Sequence, residues 1–260
     1  MKCFLHTISH CWVSEMSPVK RPYAVNIPVY YDYKLNQGGN HNEKGMTELV
    51  FILDRSGSMS GLESDTIGGF NSMLKKQKAE PGEAVVTTVL FDSRYEVLHD
   101  RFPIEHVAPI TERDYFTMGC TALLDAVGST IQKTINAQKH MSAYMRAEKV
   151  IFVIITDGME NSSVEYSYKD VKRMIEHQKK RYGWEFMFLG ANMDAVAEAD
   201  KFGVSADRSV TYECDSEGLG LTYDVVGDAL CAMRCTQEVP VGAEWKEKIE
   251  EDFRMRGRRK

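Results

Sequence analysis

The sequence predicts an α/β fold, in which helices flank a doubly wound, mostly parallel sheet with one antiparallel edge strand. Continuous apolar runs at 49–53, 149–155 and 184–189 are typical of strands buried on both faces of a parallel sheet. Segments with apolar residues at helical spacing separate these runs, and this alternation places helices on both faces of the sheet. Residues 94–99 instead alternate apolar and polar side chains, which favours an antiparallel edge strand.

The first half of the chain continues the alternation. After the first apolar run, residues 61–78 carry apolar side chains at helical spacing, and Pro81-Gly82 ends the segment. Residues 84–91 are rich in Val and Thr, which favours a strand. The mixed segment 104–116 contains a proline and follows another, so we expect a loop with at most one short helical turn.

The second half repeats the pattern. Apolar side chains share one face over 121–140, which predicts a strong amphipathic helix. A second helix is expected at 167–182, where a glycine follows it, and a short third one at 194–201, where an aspartate can cap the start. Residues 208–212 are predicted to form a short edge strand.

Two further helices are expected towards the C-terminus. Residues 217–235 are predicted to be the last helix of the domain, despite three glycines. Trp245, Ile249 and Phe253 are spaced four apart, so a C-terminal helix within 237–260 should pack one side on the domain before a basic tail.

These elements predict one domain at residues 46–236. Residues 1–45 contain three prolines and a polar stretch with several glycines, which predicts a poorly ordered extension. Because Met46 stands just before the first strand, we hypothesise that this extension is a start-site artefact or a dispensable arm.

Composition excludes several functional classes. The net charge of −6 argues against a general nucleic-acid binder. Six scattered cysteines are too few for a disulfide scaffold of this length, which favours reduced thiols in the cytoplasm. No apolar run approaches the ~18 residues of a membrane span, and the N-terminus lacks a signal-peptide pattern. We therefore expect a cytoplasmic protein without nucleic-acid or membrane partners.

Three short oxygen-bearing side chains follow the first strand. Asp54, Ser56 and Ser58 occupy alternate positions in one loop. In open α/β sheets, ligands bind at the carboxyl ends of the strands, and a carboxylate with two hydroxyls suits Mg²⁺ or Mn²⁺ better than zinc. The alternative is a Ser/Gly turn that only caps the next helix.

Two other loops should meet this one. Asp157 follows the strand at 149–155, and Thr121 opens the long helix. Because parallel strands end at one edge of a sheet, the three loops would bring together five oxygen ligands. Five ligands would occupy five of the six coordination positions of an octahedral ion and leave the sixth open.

The residues resemble a von Willebrand factor A (VWA) domain with a complete metal-ion-dependent adhesion site (MIDAS). The matching motifs are Asp54-Arg-Ser56-Gly-Ser58, Thr121 within Gly-Cys-Thr-Ala-Leu-Leu-Asp-Ala, and Asp157 within Ile-Ile-Thr-Asp-Gly-Met-Glu-Asn. The resemblance covers about residues 47–212 and implies a Rossmann-like VWA fold. Cys120 stands where the family often has a second glycine, and we expect it to narrow the metal loop.

The resemblance implies a function. Such domains hold Mg²⁺, with Mn²⁺ as an alternative, and use the open position to bind an acidic residue of a partner protein. The likeness implies direct ligation by Ser56, Ser58 and Thr121, with Asp54 and Asp157 direct or one water removed. Neutral hydroxyls leave the cation electrophilic, whereas two directly bound carboxylates would quench it. Stand-alone cytosolic relatives often work beside AAA+ ATPases or in stress-response systems.

Other carboxylates near these loops have alternative roles. Asp125 either hydrogen-bonds the metal loop as an outer-shell residue or faces solvent. Asp92 either supports the site or only makes a tight turn. Glu160 has no accompanying nucleophile, so a loop role is favoured over that of a base.

Two other functions are alternatives. A metal-dependent hydrolase or phosphotransferase could use the same ion, but the sequence has no phosphate-binding loop and no second carboxylate directly beside Asp54. We therefore expect that the protein is not an enzyme. An extracellular adhesin would need secretion, which the N-terminus does not support.

Overall fold

The computed structural model describes residues 45–191, 193–235 and 243–257. The predicted extension at 1–45 lies outside the described residues except for Gly45, and the basic tail falls partly outside them. Within the described part of the chain, no helix is long and apolar enough to cross a membrane.

Six strands of the described part of the chain form one sheet, and the predicted fold class is confirmed. The strand order is β3-β2-β1-β4-β5-β6, with every neighbouring pair parallel except β2 and β3. The strands are β1 (Thr47–Asp54), β2 (Ala84–Phe91), β3 (Tyr95–Pro103), β4 (Lys149–Thr156), β5 (Glu185–Ala191) and β6 (Ser209–Tyr212).

In the described ranges, six α-helices connect or follow the strands. They are α1 (Glu63–Ala79), α2 (Leu123–His140), α3 (Tyr168–Tyr182), α4 (Ala195–Lys201), α5 (Ser216–Cys235) and α6 (Glu247–Gly257). Each predicted helix is present. Where the sequence predicted both ends of a helix, each observed end lies within two residues of the predicted one. The predicted loop at 104–116 contains one short 3₁₀ turn, Ile104–His106.

The helices cover both faces of the sheet, as the alternating pattern predicts. One apolar cluster joins α1, α5 and α6 to the sheet, and a second joins α2, α3 and α4. Strand β1 contributes to both clusters, because Phe51 and Leu53 belong to the first and Val50 and Ile52 to the second. A strand buried on both faces reads as a continuous apolar run, which is why β1 and β4 are visible in the sequence.

The edge strand β3 is longer than predicted. The alternation in the sequence ends near His99, but the strand continues to Pro103. Here Arg101 pairs with Glu48 on β1, and both side chains are buried. A long-range ion pair compensates for burying charge at this edge, and periodicity along the chain cannot show such a contact.

Local signals set the ends of α3. Ser167 and Asp170 form a reciprocal capping box at its start. Gly183 follows the last turn with φ of 65°, the left-handed conformation that glycine adopts without strain.

Candidate metal centre

The loops after β1 and β4 meet at the carboxyl edge of the sheet. Strands β1 and β4 are direct neighbours, and Asp54 and Thr156 are their last residues. The loop before α2 joins them, because Gly57 N donates to Gly119 O at 3.1 Å and Met118 N donates to Arg55 O at 2.8 Å. The topology thus brings together the three sequence motifs.

Asp54 is buried beneath these loops and held by two hydrogen bonds. Its Oδ1 accepts from Ser56 N at 2.7 Å, and its Oδ2 accepts from Thr156 Oγ1 at 2.5 Å. The Tyr115 hydroxyl donates to the Asp54 carbonyl from the other side. These bonds fix the carboxylate, and each carboxylate oxygen keeps a further lone pair for a ligand.

A chain of polar contacts links the two serines to the second carboxylate. Ser56 Oγ and Ser58 Oγ lie 3.0 Å apart, and Ser58 Oγ donates to Asp157 Oδ1 at 2.6 Å. The structure therefore brings Ser56, Ser58 and Asp157 to one place from loops 99 residues apart in sequence.

Thr121 lies against the same group. A Cβ placed on Gly158 would stand 2.7 Å from Thr121 Oγ1 and 3.3 Å from Ser58 Oγ, so both hydroxyls converge on this glycine. The main chain of Thr121 is locked by Asn161, whose side chain accepts from Thr121 N at 2.9 Å and whose N donates to Thr121 O at 3.1 Å. Gly158 has no side chain to fill the space between the loops, which suits a site that must admit a ligand.

The electrostatics of the site favour a cation. Burial, as the largest cause, raises the pKa of Asp54 to about 6, and burial also raises the pKa of Asp157. No Lys, Arg or His of the described residues acts on either carboxylate, and a bound cation would relieve the cost of their burial.

The donor set fits a hard divalent ion. Three hydroxyls and two carboxylates are the oxygen donors that Mg²⁺ and Mn²⁺ prefer. Among the residues that the structure describes, no group of three or more His, Cys, Asp and Glu could hold a metal. A site here would therefore depend on its hydroxyls, as the sequence motif predicts.

Arg55 anchors the loop between the first two motif residues. Its Nε donates to Asp92 Oδ2 at 2.9 Å, and its Nη1 lies 3.0 Å from Glu96 Oε2. Asp92 also accepts from Arg94 N at 2.9 Å, and its carbonyl accepts from Ala122 N. Asp92 thus makes the expected tight turn and also supports the loops on both sides of the candidate site.

Asp125 and Glu160 tie the loop after β4 to α2. The Asp125 carboxylate accepts from the backbone N–H groups of residues 164, 165 and 166, at 2.8–2.9 Å. Glu160 accepts from Leu124 N in the first turn of α2 and from Ser162 N and Ser163 N. Asp125 therefore neither faces solvent freely nor bonds the residues of the candidate metal set directly.

Sequence reasoning missed three side chains near the candidate ligands, one of which is Asn161 beside Thr121. Thr156 holds Asp54, and its position as the last residue of an apolar strand could have indicated this role. Cys214, in the loop after β6, has its Sγ 3.7 Å from Asp157 Oδ2. Burial and the neighbouring carboxylate raise the pKa of the Cys214 thiol to about 12, so it is a neutral neighbour. No local signal indicates this contact, because it joins residues 57 apart.

The fold and site together define an α/β protein with a candidate divalent-cation centre at the carboxyl edge of its sheet. No protein-family model matches the sequence, and no curated protein matches it.

Comparison with solved structures finds matches at low identity. Proximal thread matrix protein 1 from the mussel byssus has 16% identity and a TM-score of 0.49 over 72% of this chain and 47% of that chain. A structure of that protein with a zinc-occupied MIDAS motif matches with the same identity and TM-score over 72% and 46%. Manganese-loaded TRAP protein from Plasmodium vivax has 16% identity and a TM-score of 0.47 over 69% and 72%. This chain spans about half the length of the mussel protein.

Proposed function

We propose that this protein is a VWA domain that binds a partner protein through a Mg²⁺ ion in a MIDAS. The observation that carries the proposal is the convergence of Asp54, Ser58, Thr121 and Asp157 at one edge of the sheet. The set combines few charges with several hydroxyls. It would thus bind a divalent ion without neutralising it fully.

The protein's own residues would set the properties of the site. Ser56, Ser58 and Thr121 would offer neutral oxygens, and Asp54 and Asp157 would offer the negative charge. When bound, the ion would supply a positive charge for a carboxylate from the partner. Thr156 and Asn161 would hold the ligands in place before the ion arrives, which lowers the ordering cost of binding.

A binding function fits the surroundings of the site better than an enzymatic one. Glu160 is the nearest further carboxylate in sequence, and both its oxygens accept hydrogen bonds from backbone N–H groups. Around the candidate ligands, the described residues include no His and no Lys hydrogen-bonded to them. A hydrolase would need a base or an activated nucleophile there, and the thiol beside Asp157, Cys214, has a pKa raised to about 12 and stays neutral.

We also propose a cytoplasmic location and a role in an intracellular complex, with an AAA+ ATPase or a stress-response system as the expected setting. The exposed thiol of Cys120 supports a reducing compartment. Fractionation of the native cell tests this location, and recovery of the protein outside the cell would favour the adhesin alternative.

Metal binding is the first test of the proposal. Calorimetric titration with Mg²⁺ and Mn²⁺ should show one site per chain in the wild type. Ser58→Ala and Thr121→Ala should each weaken binding at least about tenfold, since each removes one of about six ligands. Ser60→Ala is the matched control, because Ser60 is an exposed serine two residues after Ser58. Equal affinities in all four proteins would contradict the assignment.

Partner capture is the second test. The wild type should retain a protein from its own cell extract in Mg²⁺ and release it in EDTA, whereas Asp54→Asn should not retain it. Retention that is unchanged by both EDTA and the substitution would exclude the metal-dependent mechanism. Turnover of phosphate or ester substrates with Mg²⁺ would instead support the enzymatic alternative.

A further inference from the structure

Exposed apolar side chains lie on two loops that carry candidate metal ligands. Among the described residues, eight large apolar side chains are exposed, and four of them lie in the two loops beside the site. We define these four as the apolar rim: Phe116, Met118, Met159 and Val164. Their exposures run from 47% for Phe116 to 90% for Val164. Such a concentration beside a polar site is typical of a binding surface.

The first loop presents its part of the rim in a fixed position. Met118 N donates to Arg55 O at 2.8 Å, which holds Met118 beside the first motif. The Arg55 guanidinium stands 5.3 Å from the centre of the Phe116 ring, and Thr117 Oγ1 donates to Glu63 at 2.6 Å. These contacts hold residues 116–118 against the loop that carries Ser56 and Ser58.

The second loop presents the rest of the rim. Met159 adjoins Gly158, the residue on which the hydroxyls of Thr121 and Ser58 converge. Val164 N donates to the Asp125 carboxylate at 2.8 Å, so this exposed valine is also tied to the body of the domain. The apolar rim therefore lies on the two loops that carry Thr121 and Asp157, and hydrogen bonds hold both loops in place.

The charges of the two loops restrict what could bind there. Residues 115–122 and 157–166 contain no Lys or Arg, but they contain Asp157, Glu160 and Glu165. A partner segment with many carboxylates would meet no Lys or Arg within these two loops, and it would face their acidic side chains. A segment with one carboxylate would satisfy the centre without this repulsion.

From these observations we propose that the partner segment carries one Asp or Glu side chain flanked by apolar residues, which pack on the apolar rim. This inference rests on the proposed function, because the carboxylate is expected at the metal. The two methionines suit the task, since the flexible thioether side chain adapts to different apolar partners.

Two synthetic peptides with capped ends test the inference. Each has nine residues and one central Asp, and the two residues on either side are Leu in one peptide and Ser in the other. NMR titration in Mg²⁺ can measure affinities in the millimolar range. It should show that the Leu peptide binds about tenfold more tightly than the Ser peptide. The Met118→Ser, Met159→Ser double variant should lose most of that preference and should bind the Ser peptide within about twofold of the wild type.

Met255→Ser is the matched control. Met255 lies on α6 and is 56% exposed, against 57% for Met159, but it is outside the two loops. Its substitution should leave both affinities unchanged. Loss of the preference in this control would mean that apolar exposure in general, and not the apolar rim, binds the peptide.

The outcomes separate this inference from the proposed function. Equal binding of both peptides, lost in EDTA, would overturn the apolar rim and keep the metal-dependent site. Tighter binding of a peptide with flanking Asp residues would overturn it as well, as would Mg²⁺ binding with no binding of either peptide. Self-association that the double variant abolishes would assign the rim to a second copy of this chain instead. Failure of Mg²⁺ itself to bind would remove both proposals.

Discussion

Replacing Asp54 by Asn should stabilise the metal-free protein while it abolishes metal binding. Asp54 is buried, and its carboxylate accepts hydrogen bonds from Ser56 N and the Thr156 hydroxyl. In the variant, the amide oxygen can keep the first bond. The amide nitrogen can donate to Thr156 Oγ1, which then donates to Gly158 O, 3.0 Å away. The substitution thus removes a buried charge and leaves the hydrogen bonds satisfied.

The raised pKa sets the size of this effect. Burial moves the pKa of Asp54 from 3.8 to about 6, so the folded state disfavours the ionised form. Each pKa unit corresponds to about 1.4 kcal/mol, which makes the penalty about 3 kcal/mol when the group is ionised in both states. Because the folded pKa is raised, this penalty is nearly absent below pH 4 and grows as pH rises through 6.

Urea denaturation in EDTA and reductant at several pH values measures the effect. The free energy of unfolding of Asp54→Asn should exceed that of the wild type by less than about 1 kcal/mol near pH 4 and by about 3 kcal/mol above pH 7. Added Mg²⁺ should stabilise the wild type and leave the variant unchanged, because ligand binding to the folded state alone raises stability.

Two results would refute this reasoning. If metal-free Asp54→Asn is less stable than the wild type at pH 8, the contacts of the Asp54 carboxylate outweigh the desolvation cost of its burial. A difference that does not vary with pH would show that ionisation of Asp54 does not cause it.

Three further predictions concern stability. Arg256→Ala should destabilise by about 1 kcal/mol, less in high salt, because Arg256 pairs at 2.7 Å with Asp215 before α5. The exposed Arg254 gives the matched control, and an equal loss from Arg254→Ala would argue against the Asp215 contact. Gly183→Ala should destabilise by about 1 kcal/mol, since its φ is positive. Gly220→Ala, inside α5, should stabilise by up to about 1 kcal/mol. An added methyl meets no atom within 4 Å at either glycine, so the two variants differ from the wild type mainly in backbone effects. Thermal unfolding measures both, and melting temperatures that shift in the same direction would contradict this reasoning.

The elements of the fold were predictable because each depends on short-range chemistry. A strand buried on both faces is an apolar run, as at β1, and a glycine in the left-handed conformation ends a helix, as after α3. The length of β3 was not predictable, because its last residues pair with Val85 and Val86 of β2 beyond a register shift, which no pattern along the chain shows.

The candidate site was predictable in its composition but not in its support. The motif residues were visible because three loops at strand ends carry the same kind of oxygen donor. Thr156, Asn161 and Cys214 went unnoticed as neighbours of those donors, since each contact spans at least 40 residues of sequence. The apolar rim was likewise invisible, because exposure of Met118 or Met159 is a property of the folded surface.

The sequence by itself determined the alternation of strands and helices and the oxygen donors that end the strands Thr47–Asp54 and Lys149–Thr156. Those features follow from side-chain chemistry and periodicity along the chain. Only the tertiary structure decided that Ser58 bonds Asp157, that Asp54 is desolvated, and that apolar side chains flank the site. Distance, burial and exposure arise when remote segments pack together, and no local pattern encodes them.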